Sequence, residues 1–400
     1  MVAKIKVAST VQELDDIYQL RHWVYVIEDG KFGGVALPGR RIVDRFDALG
    51  NVANIIAYDD GTPVGSLRLN KDGSAGLPSE EYYDFSRYRV QLIEESKKTG
   101  KALPVFASGG FLAVKEAWRG RRKVIFSLLK TAAGVYQSWG VTHLIATVNH
   151  ETVSVYRHLG FEPIDDPIWV ESIGNQIVPM VTPFQRMYEW AFGNIDTKEH
   201  GFWVKHFSAQ FQRVLLSPKE ILFKQGELAD DAFIIDEGWI SISRKDEDGQ
   251  ELVLANLSPG ALFGELALID NQPRSGTAIA STNVELICLN RDEFQTAVTQ
   301  NKERLNELLT VFATRMRSSQ ELAMILAFAP QTGRVHFALN TLRHEAVEDK
   351  KRPNSWVAKI DIATLAKSAG VREHEVRRVL EVEAHAGKLE YSERSIRFLS

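Results

Sequence analysis

The chain has 400 residues, of which 44% are hydrophobic and 25% charged, with a formal net charge of −4 and a single cysteine, Cys288. That length corresponds to two or three domains with substantial cores, and the charge excludes a polycation held to nucleic acid by bulk attraction. One cysteine excludes an intrachain disulfide and a thiolate metal centre. No apolar run reaches the roughly 18 residues of a membrane span, the first residues lack the apolar core of a signal peptide, and a cytoplasmic protein is expected.

From the N-terminus to about residue 195 strands alternate with helices. VANIIAY at 52–58 reads as a strand, DDGTP at 59–63 as a turn, and VGSLRL at 64–69 as the returning strand of a hairpin. An apolar strand over 105–114, an amphipathic helix over 122–139, a strand over 143–148 and a short helix ending at Leu159-Gly160-Phe161 follow. Leu144, Ile145, Ala146 and Val148 nearly fill their strand, as in one covered on both faces. The segment reads as an α/β sandwich. Beyond Phe192-Gly193-Asn194 short strands separated by QGE, DEG, DEDGQ, SPG and NQPR give the rhythm of a β-roll up to residue 290. A long helix is predicted over 291–328. Leu305, Leu308, Leu309, Phe312, Met316, Leu322 and Ile325 form a stripe on it that suits a dimer seam or packing against its own barrel. Helices over 334–342, 362–368 and 373–386 precede two short strands. The expected division is 1–195, 196–329 and 330–400, a multidomain α+β chain.

The most informative stretch is Phe263-Gly264-Glu265-Leu266-Ala267-Leu268 followed by Pro273-Arg274-Ser275-Gly276-Thr277. A glycine lets the backbone approach a ligand, and a short helix beginning near Glu265 would present N–H groups to an anion. Arg274 suits phosphate oxygens and Glu265 a ribose hydroxyl, because an ionised carboxylate only accepts. These residues resemble the phosphate-binding cassette of the cyclic nucleotide-binding domain, over about 207–324. The resemblance implies that Gly264, Glu265, Leu266, Arg274, Ser275 and Thr277 bind a cyclic nucleotide, and that Gly226, Gly238 and Gly260 turn its strands. Ser319 on the long helix aligns with a hydroxyl that contacts adenine in the catabolite-activator branch. Ser275, where cGMP sites often carry threonine, favours cAMP over cGMP.

Ile360 to Val371 followed by Glu373–Ala386 has helix-turn-helix texture, with Ala366 at the crossing and Gly370 in the turn. With residues 387–398 as a wing, it resembles the winged helix-turn-helix of the catabolite-activator family, which implies double-stranded DNA as partner and Arg372, Arg377, Arg378 and Lys388 as contacts. Residues 330–400 hold 13 Lys and Arg against 10 Asp and Glu. Glu373, Glu375, Glu381 and Glu383 oppose the helix cations, so a scaffold or protein-contact role stands beside DNA binding.

In the N-terminal segment, Phe111-Leu112-Ala113-Val114, Trp118 to Lys123, and Asn149 with Tyr156 to Phe161 resemble the GNAT acyltransferase fold. In that fold a loop at a helix N-terminus cradles the pyrophosphate of acyl-CoA. Arg122 and Val124 occupy the two small positions of the usual loop, so Arg119, Arg121, Arg122 and Lys123 are candidates to hold phosphates or an acidic acyl carrier protein. Leu20-Arg21, Tyr25-Val26, Glu28, Asp44 to Asp47 and Val64 to Leu69 follow the order of acyl-homoserine-lactone and N-acyl amino acid synthases. By that likeness Arg21, Asp44, Asp47 and Arg68 build the acceptor side. Ser108-Gly109-Gly110-Phe111 replaces the Glu-x-Ser-Arg of lactone synthases, which disfavours lactone synthesis. Acyl transfer needs a base, a donor to the thioester carbonyl and a proton for the leaving thiolate. Tyr156 matches the tyrosine near the leaving sulfur, Gly109-Gly110 reads as a bulge, and Asp44, Asp47, Glu28 and Glu116 are base candidates.

The expectation is an acyltransferase controlled by a cyclic nucleotide, using an acyl-CoA or acyl carrier protein thioester and an amine acceptor, and forming a homodimer. The rival is a catabolite-activator-type transcription regulator whose first domain senses an acyl ligand.

Overall fold

A computed structural model describes residues 3–31, 38–120, 122–171, 174–193, 202, 203, 207, 212–247, 249, 251–349 and 352–399. Most of 3–193 folds as one compact unit and 215–399 as a second.

The first unit opens with β1 (Ala3–Val7) and α1 (Val11–His22), where Thr10 and Glu13 close a reciprocal cap. A π-helical turn at Trp23–Glu28 extends α1. Then come β2 (Val52–Asp59), β3 (Thr62–Lys71), α2 (Ser86–Thr99), β4 (Phe106–Val114), the short α3 (Glu116–Arg119), α4 (Arg122–Ser138), β5 (His143–Asn149), α5 (Val153–His158), β6 (Glu162–Pro163), β7 (Ile168–Val170), β8 (Asn175–Pro183) and α6 (Phe184–Phe192). The strands lie in the order β1-β2-β3-β4-β5-β8-β6, with β7 also on β8. Only β4 and β5 are parallel, and α3 and α4, which lie between them in sequence, supply the crossover.

Two irregularities shape this sheet. The ladder between β3 and β4 slips after Ser66↔Ala113, so that Arg68 next faces Gly110 and β4 carries an extra residue. Phe111 in that bulge has φ +50°, a left-handed conformation a bulky residue adopts at a strain of about 1–3 kcal/mol. Beyond it, β4 and β5 pair only at Phe106↔His143 and Ala107↔Leu144 and then part. The bulge anticipated at Gly109-Gly110 thus falls one to two residues later.

The second unit begins as two antiparallel sheets. One orders the strands 262–263, 231–237 and 284–290; the other orders 221–223, 277–280, 240–245 and 251–257. Gly226, Gly238 and Gly260 have φ of +86°, +89° and +91°, so their turns require glycine. The single long helix predicted over 291–328 is two helices, Arg291–Thr299 and Lys302–Phe328. Asn301 breaks the run because its side chain accepts the free N–H groups of Glu303 and Arg304, starting a new helix. The helices Gln331–Glu345, Ile362–Ala369 and Glu373–His385 and a four-stranded sheet (347–348, 355–358, 395–399, 389–392) close a separate core around Leu339, Leu365, Val376, Leu380 and Phe398. A strand at Val347–Glu348 precedes the charged loop and was not anticipated. Among the described residues no helix is long and apolar enough to cross a membrane, and no three His, Cys, Asp or Glu side chains converge on a metal position.

Candidate functional site

In the first unit the Asp44–Asp47 segment is a turn of 3₁₀ helix in which each aspartate caps the other's backbone. This positions both carboxylates against two arginines that the sheet buries completely. Arg21 Nη1 donates to both oxygens of Asp47 at 3.0 and 2.9 Å, and Arg21 Nη2 donates to Asn54 Oδ1 at 2.6 Å. Arg68 Nη1 donates to Asp44 Oδ1 at 2.5 Å and to Asp47 Oδ2 at 3.1 Å. The Phe111 ring lies between the two guanidiniums, 4.7 Å from Arg21 and 4.6 Å from Arg68. Two cations balance two anions, and burial pulls the Arg21 pKa down against the opposing pull of Asp47. Arg21, Arg68, Asp44 and Asp47 are therefore brought together as their sequence order implied. Arg21 and Asp47 are inaccessible, whereas the Asp44 side chain is 33% exposed.

Side chains alternate along β3, so Leu67 and Leu69 face away from this cluster. On that side the parting of β4 and β5 opens a narrow cleft lined by Leu67, Gly109, Leu129, Tyr136, Tyr156 and Phe161, among others. Tyr156 packs edge-on against Phe161, with centroids 5.3 Å apart, and burial pushes its phenol up to about 12. It stays a protonated donor across the neutral range.

The basic run at the start of α4 behaves unevenly. Arg119 is committed elsewhere: its guanidinium pairs with Glu28 at 3.0 Å and Asp29 at 2.8 Å and donates to the Val114 carbonyl at 2.9 Å. Glu28, one of the base candidates, also accepts the Glu116 N–H at 2.8 Å. Arg121 and the side chain of Arg122 lie outside the described residues; Lys123 is half-buried in the first turn of α4.

In the second unit Gly264 has φ +78°, and a Cβ there would stand 2.8 Å from Arg274 Nη1. Only glycine allows this approach, in which Arg274 Nη1 donates to the Gly264 carbonyl at 2.7 Å. The Arg274 guanidinium lies 4.1 Å from the centroid of Phe223 and 5.6 Å from that of Phe233. Burial lowers its pKa, and its Nε has no hydrogen-bond partner. Glu265 is fully buried. Its Oε1 accepts from Arg315 Nη1 at 2.5 Å, while its Oε2 has no partner. Desolvation raises the Glu265 pKa against the counter-pull of Arg315 and Arg274. A guanidinium donor and a carboxylate acceptor, both buried and both incompletely paired, match the phosphate and the ribose hydroxyl of one nucleotide. Leu266 and Ser275 are exposed beside them, Thr277 Oγ1 accepts the Gln225 N–H at 3.0 Å, and Ser319 is exposed on helix Lys302–Phe328.

Arg315 was not anticipated. It lies four residues before Ser319, one turn along the same face, and that spacing was the available signal. Asn54, Phe111, Phe223 and Phe233 were missed too, since an apolar ring beneath a guanidinium carries no motif.

On helix Glu373–His385 the cations expected to meet DNA are mostly matched within the protein. Arg377 makes a two-pronged pair with Glu393 at 2.8 and 3.1 Å, Arg378 pairs with Glu375 at 2.9 Å and Lys388 with Glu383 at 3.0 Å. Arg372, at the N-cap position, forms no ion pair among the described residues.

Two outcomes follow. Asp47→Ala leaves Arg21 and Arg68 buried with one carboxylate between them and is expected to destabilise the first unit by about 3–5 kcal/mol in urea unfolding, with Asp47→Asn less harmful. Because the folded-state pKa of Glu265 lies above its ordinary value near 4.5, the protonated form favours the folded state. That contribution is full below the ordinary value and is lost as pH rises through the raised one. Glu265→Gln, compared with the parent without nucleotide, should therefore gain stability progressively from the ordinary carboxylate range upward in melts taken across pH.

A family model described as the cyclic nucleotide-binding domain matches residues 213–301, and one described as N-acyl amino acid synthase FeeM matches residues 16–183. The cyclic AMP receptor protein of Thermus thermophilus is 30% identical over 177 residues, which are 44% of this chain and 79% of that protein. The CRP-like cAMP-activated global transcriptional regulator of Mycobacterium tuberculosis is 32% identical over 126 residues, 32% of this chain and 56% of its own length. A solved structure, the catabolite activator protein of Thermus thermophilus, aligns over 52% of this chain and 92% of its own with 27% identity and a TM-score of 0.29. The chain thus belongs to the cyclic AMP receptor protein family, and residues 16–183 ahead of its nucleotide-binding match are similar to the N-acyl amino acid synthase FeeM.

Proposed function

We propose that this is a GNAT-type N-acyltransferase under cyclic nucleotide control, organised as an acyltransferase domain (1–195), a nucleotide-binding domain (196–329) and a winged helix domain (330–400). The observation that carries the reading is the gap between β4 and β5. An acceptor at the solvent-exposed Asp44 edge of the arginine–aspartate cluster and a thioester beside Tyr156 would meet across it. The match to an N-acyl amino acid synthase over 16–183 supports an amino acid acceptor.

In the reaction the acceptor nitrogen attacks the thioester carbonyl carbon, the C–N bond forms, the C–S bond breaks, and the products are an amide and a thiol. The acceptor's ammonium must first lose a proton. Asp44 is the base this reading favours: its Oδ1 accepts from Arg68 and from the Phe46 N–H at 2.8 Å, and its side chain is open to solvent where that of Asp47 is not. Asp47 is fully engaged and acts as a positioning residue for Arg21 and Arg68. Arg68, buried and held by Asp44 and Asp47, would position Asp44 rather than touch the acceptor. Tyr156, held protonated, would deliver its proton to the departing thiolate. The donor is an acyl-CoA or acyl carrier protein thioester. Its acidic part would meet the cationic run Arg119, Arg121, Arg122 and Lys123, within which Arg119 also pairs with Glu28 and Asp29.

The regulatory ligand is read as cAMP. It would supply a phosphate for Arg274 and Ser275 and a ribose hydroxyl for the unpartnered Glu265 Oε2, with Gly264, Leu266 and Thr277 framing the pocket and Ser319 meeting the base. Control requires different affinities for two states, since equal affinity shifts nothing. Calorimetric titration with cAMP and cGMP, followed by thioester turnover with and without the ligand, tests both halves. Arg274→Ala is expected to abolish nucleotide binding and the nucleotide's effect on turnover while sparing basal turnover. Tyr156→Phe is expected to lower kcat by about 10²–10⁴-fold with binding intact. Full turnover in Tyr156→Phe would remove the proposed proton donor.

A transcription regulator is the second reading, favoured by family membership. The acid-matched recognition helix argues for weak DNA binding through Arg372, Arg377, Arg378 and Lys388. Neutralising the opposing carboxylates in Glu375→Gln/Glu393→Gln should strengthen duplex binding and steepen its salt dependence in fluorescence anisotropy. No binding by either protein, at any salt, would leave the winged helix as a protein contact.

A further inference from the structure

We propose that Tyr136 is the stop that limits how long an acyl chain the cleft accepts; this rests on the acyl-transfer reading above. The gap between β4 and β5 is open at the end where β5 finishes at Asn149 and α5 brings in Tyr156. It closes at the other end, where Phe106↔His143 and Ala107↔Leu144 pair. Tyr136 belongs to that closed end. It lies in the last turn of α4, roughly 20 Å of helix from Arg122. Its carbonyl accepts the Val141 N–H at 3.0 Å, which ties it to the turn that leads straight into β5.

The side chain faces β4 at Gly109, two residues beyond the last paired position. A Cβ on Gly109 would stand 3.0 Å from Tyr136 Oη, so glycine on one wall and tyrosine on the other fill the width between them. The ring is not free to swing aside. It is 3% exposed and packs edge-on against Trp139 and Phe184, at centroid distances of 6.2 and 6.4 Å. Its hydroxyl has no hydrogen-bond partner among the described residues, an arrangement a purely structural tyrosine rarely keeps. Small residues at Ala132 and Ala146 also line the cleft, whereas the Tyr136 ring fills its width opposite Gly109. The blocking is steric, so it belongs to the ring rather than to the hydroxyl.

The experiment measures kcat/KM of the full-length protein for acetyl, butanoyl, octanoyl, dodecanoyl and hexadecanoyl thioesters with one amino acid acceptor. One methylene in an apolar pocket changes kcat/KM by roughly 10–200-fold. Tyr136→Ala should therefore raise long-chain relative to short-chain kcat/KM by at least about tenfold. Tyr136→Phe should keep the parent's profile, because the ring remains. Gly109→Ala, which adds a methyl group to the opposite wall, should shift preference toward shorter chains. Gly109→Ala also decides the matter if Tyr136→Ala does not fold. Turnover by Tyr136→Ala or Gly109→Ala with an unchanged profile overturns the proposal and leaves the acyl-transfer reading standing. A changed profile in Tyr136→Phe assigns the effect to the hydroxyl and also overturns it. Absence of turnover by the parent with every thioester removes the acyl-transfer reading and this inference together.

Discussion

One extra residue in β4 governs the first unit. By slipping the ladder between Ser66 and Arg68 it turns Phe111 into the left-handed region and carries the rest of β4 away from β5. Left-handed backbone under a bulky side chain persists only where its surroundings over-determine it. Here the surroundings are two guanidiniums on the Phe111 ring, each held in turn by an aspartate of the 44–47 turn. The arginines are tolerated in the core because the carboxylates are there, and the bulge is tolerated because the arginines clamp it. The open gap in the sheet is therefore a consequence of buried electrostatics some distance along the chain.

The second unit rests on a different kind of tension. Glu265 and Arg274 are withdrawn from water with hydrogen-bonding capacity unused. Such groups raise the free energy of the empty state and lower it again when a ligand of matching polarity arrives. Arg315 partly relieves Glu265 from the long helix, so the pocket's electrostatics and that helix's seating are one system. Glu265 is thereby held from the long helix through a single carboxylate oxygen.

Much of this was legible in the sequence because it is written in local patterns. The hairpin at 52–69, the buried strand 143–149 and the cassette at 263–277 each announce themselves by alternation, apolar density or spaced glycines. Arg21, Asp44, Asp47 and Arg68 were singled out as an acceptor side through likeness to synthases that share their order, and they lie in one cluster. What sequence reasoning could not reach is pairing at a distance. Nothing local distinguishes Arg119, claimed by Glu28 and Asp29, from a free phosphate ligand, or Arg377, gripped by Glu393, from a free DNA contact. The break at Asn301 was missed because the apolar periodicity runs on through it, and periodicity is blind to a capping side chain. Phe111 stood out only as part of a strand motif and Tyr136 carried no motif at all, since the place of each depends on where the strand bends.

The same Asn301 cap has a mechanical meaning. A continuous rod would carry any rotation at its root undiminished to its far end. A capped joint of two non-helical residues, Gln300 and Asn301, instead separates Arg291–Thr299, which packs on the β-roll through Phe294 and Val298, from the 27-residue helix that bears Arg315 and Ser319. Each helix keeps its own hydrogen-bond ladder when the angle between them changes, so the change strains a single linkage and leaves both ladders intact. The shorter helix packs on its sheet, while the longer one carries the arginine that holds Glu265.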